Sequence, residues 1–151
     1  MPKRFPLQIL HDLSHLRLDD ATRQLGLLLA GEHEAKKRHQ LLVDYRAEYQ
    51  ARFVAATRSG LGTRELNNFR GFLAKLDEAI DQALSMVSQS QTRTAHGKQQ
   101  WLEKRVDVKA YDTLADRHRQ RELAGTLRRE QQLTDEFAAR RPAGDDDDGF
   151  R

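Results

Sequence analysis

His11 and His15 stand four residues apart, a spacing that on a helix stacks two imidazoles on one face. Such a pair can chelate a divalent ion, with Asp12, Asp19 or Asp20 near enough in sequence to supply oxygen ligands. No motif fixes a third ligand, and the spacing alone favours an exposed polar face over a metal centre. The sequence is therefore read as carrying no metal and no cofactor. Other catalytic constellations are missing as well. With no Cys in the chain, thiolate ligands, disulfides and a cysteine nucleophile are excluded. There is no phosphate-cradling glycine loop, nucleophile elbow or HExxH pattern, and Gly60-x-Gly62 is accounted for by a turn. A seam between two helices is expected to enclose no pocket of the several hundred Å³ that small-molecule sites use. These observations describe a non-enzymatic chain.

Binding chemistry is easier to find. Phe72 lies outside the strict apolar repeat beside an expected turn, so it is either an exposed anchor for a partner or an aromatic packed locally under that turn. Trp101 and Tyr111 fall at repeat positions and are expected in the core. Lys36-Lys37-Arg38, Arg128-Arg129 and Arg140-Arg141 are basic clusters able to meet phosphates or an acidic protein surface. Interspersed Glu and Asp favour a solvated helix face over nucleic-acid binding.

The elements that position these residues are set by a seven-residue period. Leu66, Leu73, Ile80, Val87, Thr94, Trp101, Val108 and Ala115 form one series. A second, three residues on, runs Phe69, Leu76, Ala83, Ser90, Gly97, Lys104 and Tyr111. Repeats of this kind keep one stripe facing a companion helix over many turns. The companion has its own series, Leu7, Ser14, Ala21, Leu28, Ala35, Leu42, Tyr49 and Ala56, with an offset series of Leu18, Leu25, Glu32, His39, Arg46 and Phe53. Pro6 suits the first turn of that helix. Gly26 and Gly31 inside it are expected to permit close approach of a neighbouring backbone. Ser59-Gly60-Leu61-Gly62-Thr63 is the clearest break, with two glycines able to take positive φ and Thr63 available as a cap.

The fold class expected is all-α, a long antiparallel two-helix coiled-coil hairpin over residues 1–141, with helices at about 6–57 and 64–140 and a turn at 58–63. Pairing outward from Leu61 sets Leu7 opposite Ala115, so the end of the second helix either overhangs or is drawn back. After Ala115 the apolar positions shift to Leu123, Leu127, Leu133 and Phe137, and near the chain start Ile9, Leu10, Leu13 and Leu16 exceed what one seam uses. Surplus apolar residues there imply a further surface to bury them. The Ser85–Gly97 stretch is polar enough to kink, but the series resumes in phase at Trp101, which argues for continuity.

Composition agrees. Charged residues make up 32% of 151 residues, and only 3 Pro interrupt the chain, favouring long solvated helices. The formal charge of +3 contains four aspartates, Asp145 to Asp148, without which it would be +7. Residues 142–151 are read as a disordered acidic tail. The start lacks a signal-peptide core and no window approaches ~18 apolar residues, so a soluble cytoplasmic protein is expected.

Several local patterns together resemble the FliJ family of flagellar type III export. They are Leu10-His11-Asp12-Leu13, Asp19-Asp20-Ala21, Leu25-Gly26, Asp44-Tyr45-x-x-Glu48-Tyr49, Asn68-Phe69-x-x-Phe72-x-x-x-Leu76, Ala79-Ile80 with Gln82, Trp101-x-Glu103-Lys104 and Asp135-Glu136-Phe137-Ala138. Their order covers nearly the whole length to Arg141; the acidic tail has no counterpart. The resemblance implies a stalk, similar to that of rotary ATPases, that enters a hexameric flagellar export ATPase, promotes its assembly and activity, and serves as a general export chaperone. It implies an export-gate surface for the membrane protein FlhA at Phe72, Leu76 and Ala79. From position, Leu13, Asp20, Arg23, Leu127 and Glu136 are assigned to the ATPase ring. The ATPase regulator and substrate-specific export chaperones are further partners it suggests, at the inner membrane. The competing readings are the equivalent stalk of a virulence-type secretion system and a basic coiled coil that binds nucleic acid.

Overall fold

The computed structural model describes residues 3–140; the tail expected at 142–151 lies outside them. Two helices make up the fold, α1 over Gln8–Ser59 and α2 over Thr63–Arg140, and no strand occurs among the described residues. The all-α helical hairpin read from the repeat is what the chain forms. Its residues divide into two compact units, one of Arg17–Arg105 and one of Met1–Leu16 with Val106–Arg151. The first is called here the turn unit and the second the terminal unit.

Within the turn unit the heptad geometry decides what is buried. Leu73, Leu76, Ala83 and Val87 form the apolar core, and Ser90, Thr94 and Gly97 are buried at the next repeat positions although they are not apolar. Periodicity thus outranks residue type along this face. The buried hydroxyls are satisfied: Thr94 Oγ1 lies 2.9 Å from the Ser90 carbonyl and 3.3 Å from that of Leu28 on α1, and Arg93 Nη2 donates to Ser90 Oγ at 3.2 Å. Trp101 Nε1 donates across the seam to Thr22 Oγ1 at 3.0 Å. These contacts run antiparallel and in the register expected from Leu61.

Two glycines expected to allow close backbone approach do not. A Cβ on Gly26 or Gly31 would meet nothing within 4 Å, because both face away from α2. The close approach is at Gly97, where a Cβ would lie 2.4 Å from Leu28 Cδ1. At the connection only Gly60 has positive φ, 86°, the left-handed conformation that ends a helix with little cost for glycine. Gly62 sits just ahead of α2 and its carbonyl accepts from Leu66 N–H at 3.0 Å. Thr63 is therefore the first residue inside the helix, not its cap.

In the terminal unit α1 starts two residues after Pro6, which lies in the preceding turn. Gln8 N–H donates to the Phe5 carbonyl at 3.0 Å and His11 N–H to that of Leu7 at 2.8 Å. Ser14, the one polar member of the α1 series, is also the one buried residue of that helix, at 5% exposure. Its hydroxyl donates to the His11 carbonyl at 2.7 Å. Val108 is its buried counterpart on α2. The helix then continues past His118, whose ring meets the Lys3 carbonyl at 3.0 Å, and every residue from Thr126 to Arg140 is exposed. α2 is unbroken from end to end, so the polar stretch before Gly97 does not interrupt it.

Candidate functional site

In the turn unit, aromatic residues at four-residue spacing on α1 interleave with two from α2. Phe72 packs on Tyr49 with ring centroids 4.5 Å apart and meets Tyr45 edge-on at 6.3 Å. Phe69 lies 5.2 Å from Tyr49 and 5.4 Å from Phe53. Phe72 is thus half-buried in a local cluster, with Tyr45 exposed at its flank. Beside it Arg46 donates to both carboxylate oxygens of Asp77, Nη2 to Oδ2 at 3.4 Å and Nε to Oδ1. That guanidinium holds the Asp77 carboxyl below its ordinary pKa. Of the gate residues expected from the resemblance, Ala79 is half-buried and Leu76 is in the seam at 6% exposure. Phe72, Tyr45 and Ala79 are the solvent-reachable residues of this place, whereas Leu76 is not.

Asp20 and Arg23 belong to the same unit and are exposed. Asp20 lines a groove of about 520 Å³ with Arg17, Gln24, Leu28, Gly97 and Lys104. A groove of this volume was not expected of a two-helix seam. Arg17, Asp20, Glu103 and Lys104 give it a charged rim, which suits water and ions rather than an enclosed organic substrate.

Leu13, Leu127 and Glu136 lie in the terminal unit. Leu127 is 57% exposed and Phe137 74%, with Leu123 and Leu133 comparably open. At 100° per residue Leu123, Leu127, Leu133 and Phe137 fall within about a third of the helix circumference, one apolar stripe. Leu13 shares a second stripe on α1 with Ile9 and Leu16. Glu136 is exposed beside the first stripe.

The same unit brings together one cluster that sequence reasoning missed. Asp112 of α2 meets both histidines of α1: its Oδ1 lies 2.6 Å from His11 Nε2 and 3.1 Å from His15 Nε2. Hydrogen bonds from His11 first, and His15 second, hold the Asp112 carboxyl below the usual carboxylate range. The oxygen ligands considered from sequence, Asp12, Asp19 and Asp20, were local ones. The signal for Asp112 was the register itself, which sets His11 opposite position 111.

The family model described as "Flagellar FliJ protein" matches residues 2–145. The chain belongs to the FliJ family. Two relatives carry the same description. One, from Salmonella typhi, is 30% identical over 140 residues, covering 93% of this chain and 95% of the relative. The other, from Escherichia coli (strain K12), is 29% identical over 140 residues with the same coverage of both chains. FliJ-family membership ties the chain to the flagellum and its protein export. The match spans both units, so the aromatic cluster and the exposed stripes lie inside the family's extent. No helix among the described residues is long and apolar enough to cross a membrane.

Proposed function

We propose that the chain is a non-enzymatic stalk and escort of flagellar protein export. Its terminal unit docks in the hexameric export ATPase and promotes that enzyme's assembly and turnover. Its turn unit engages the export-gate protein FlhA through the flank formed by Phe72 and Ala79 over Leu76. The observation that carries this reading is the α2 stripe of Leu123, Leu127, Leu133 and Phe137, exposed on the stretch of α2 that runs on past the position opposite Gln8, the first residue of α1. A stripe of that kind is stabilised by burial against another surface, at roughly 25 cal/mol per Å² of apolar area. Neighbouring charges, Arg128, Arg129 and Glu136, would set orientation and capture rate more than affinity. Leu13 adds to the docking surface from α1 within the terminal unit, and Asp20 and Arg23 are charged ring contacts of the turn unit in their own right. Regulator and substrate chaperones of the export system are further partners on this reading, and the protein works at the inner membrane without entering it.

The test is steady-state ATP hydrolysis by the flagellar export ATPase of the same organism, with and without this protein. Stimulation with co-migration supports the stalk. Leu127→Asp is expected to abolish both while leaving helicity unchanged, because the position is exposed. A loss of helicity in that variant would assign Leu127 to the fold instead. Failure of the wild-type chain to bind an assembling ATPase would end the proposal.

A further inference from the structure

The two imidazoles and the carboxylate of the terminal unit are arranged for more than a hydrogen bond. His11 Nε2 and His15 Nε2 converge on one oxygen, Asp112 Oδ1, and the three ligand-type atoms all lie within 4.8 Å of one another. A tetrahedral ion with bonds of about 2.0–2.1 Å holds its ligand atoms about 3.3 Å apart. Side-chain adjustments of about an ångström would therefore seat all three on one ion without moving either helix.

A second observation is the other nitrogen of His11. Its Nδ1 is buried and has no hydrogen-bond partner. When Nε2 donates to Asp112, Nδ1 is an unprotonated acceptor sealed from water, an uncompensated state. Metal coordination through Nε2 moves the proton to Nδ1, which then needs an acceptor. Asp12 Oδ1 is 3.8 Å away, and Gln8 Nε2 steadies it at 2.9 Å. A small rotation of Asp12 closes that gap and makes the carboxylate–imidazole–metal relay that orients ligating histidines.

The third observation is access. A cleft of about 410 Å³ runs beside the cluster, lined by Phe5, Gln8, Ala115 and Arg119 together with His11 and Asp112. Water can enter it to complete a coordination sphere that three protein ligands leave open. Two imidazoles and one carboxylate suit Zn²⁺ and the ions next to it in the first row.

We infer that His11, His15 and Asp112 form a zinc-class divalent metal site that fastens the first turns of α1 to α2, with Asp12 as the positioning residue for His11. Such a fastening falls beside Ser14 and Val108, the buried residues of the terminal unit among those described.

The experiment uses the full-length chain without an affinity tag, stripped of metal by chelator and dialysed. Zn²⁺ is titrated at pH 7.5 in competition with a chromophoric chelator, and Co²⁺ is added to a second sample to read its visible absorption bands. The expected result is about one equivalent bound, with Co²⁺ bands of the intensity that low-symmetry nitrogen and oxygen ligation produces. Asp112→Asn, nearly isosteric, and His15→Ala should each weaken binding about tenfold or more, and Asp12→Ala about tenfold. Zn²⁺ should raise the Tm of the wild-type chain and not that of Asp112→Asn. His33→Ala and His39→Ala, on α1 away from the cluster, should bind as wild type. If His15→Ala loses helicity, Asp112→Asn decides alone. Wild-type affinity no greater than that of the His11→Gln/His15→Gln double variant, or binding unchanged in Asp112→Asn, would overturn the site and leave a purely hydrogen-bonded trio.

Discussion

One methyl group separates three glycines of this chain in their effect on stability. Gly31 lies in the middle of α1 facing open space, so Gly31→Ala should gain the helix-propensity difference, about 0.5–1 kcal/mol. The same change at Gly97 gains that increment but drives a Cβ against Leu28 Cδ1, and repacking a filled contact costs about 1–3 kcal/mol, so no net stabilisation is expected. Gly60→Ala must place a side chain at φ 86° and should lose about 1–2 kcal/mol. Urea unfolding of the three variants checks the order. Asp77 gives a charge counterpart. Its carboxyl should titrate below 3.8 by NMR, and Arg46→Ala should bring it back up, since the guanidinium is the main cause of the shift. Because the folded-state value is the depressed one, the pair's contribution is complete above the unfolded pKa and disappears as pH falls through the folded one. The pair is solvent-exposed, so the effect on stability is small.

At the scale of the helices, exposure separates seam positions from solvent-facing ones. Leu76→Ala removes a side chain that is 6% exposed and should cost about 2–4 kcal/mol in thermal or urea unfolding, whereas Ile9→Ala, at 82% exposure, should fall within about 0.5 kcal/mol of wild type. The seam was legible in the sequence because a seven-residue period is itself a geometric statement: it anticipated burial of Leu73, Val87 and Val108, whereas Ser90 and Thr94, which keep the same phase, fell in a stretch read as weak because of its hydroxyls and are nonetheless buried. Gly97 could be read the same way, since it occupies a series position while Gly26 and Gly31 do not. The misreading of those two came from weighing residue type over phase. Asp112 was missed for another reason. Register brings positions 11 and 112 near each other, but which polar side chains then meet depends on rotamers and on the neighbouring turn that carries His15. The half-burial of Phe72 likewise depends on Tyr45 and Tyr49 arriving from the other helix.

For the molecule as a whole, the buried seam and the exposed apolar stripe of α2 are made by separate residues. Truncation after Arg121 removes Leu123, Leu127, Leu133 and Phe137 but, among the described residues, none that is buried. The shortened chain should keep its cooperative unfolding and lose stimulation of the export ATPase; loss of cooperative unfolding would instead show that the stripe supports the fold. A final consequence follows from Gly97. Sliding one helix past the other by a single heptad would carry Leu28 from that notch onto Ser90 or Lys104, and Arg46 from Asp77 to Arg70 or Leu84. Every such step loses both a steric fit and an ion pair, so the turn unit is keyed like a shaft in its slot. On the stalk reading proposed above, that keying would let the turn unit pass a push or pull along its axis without slipping.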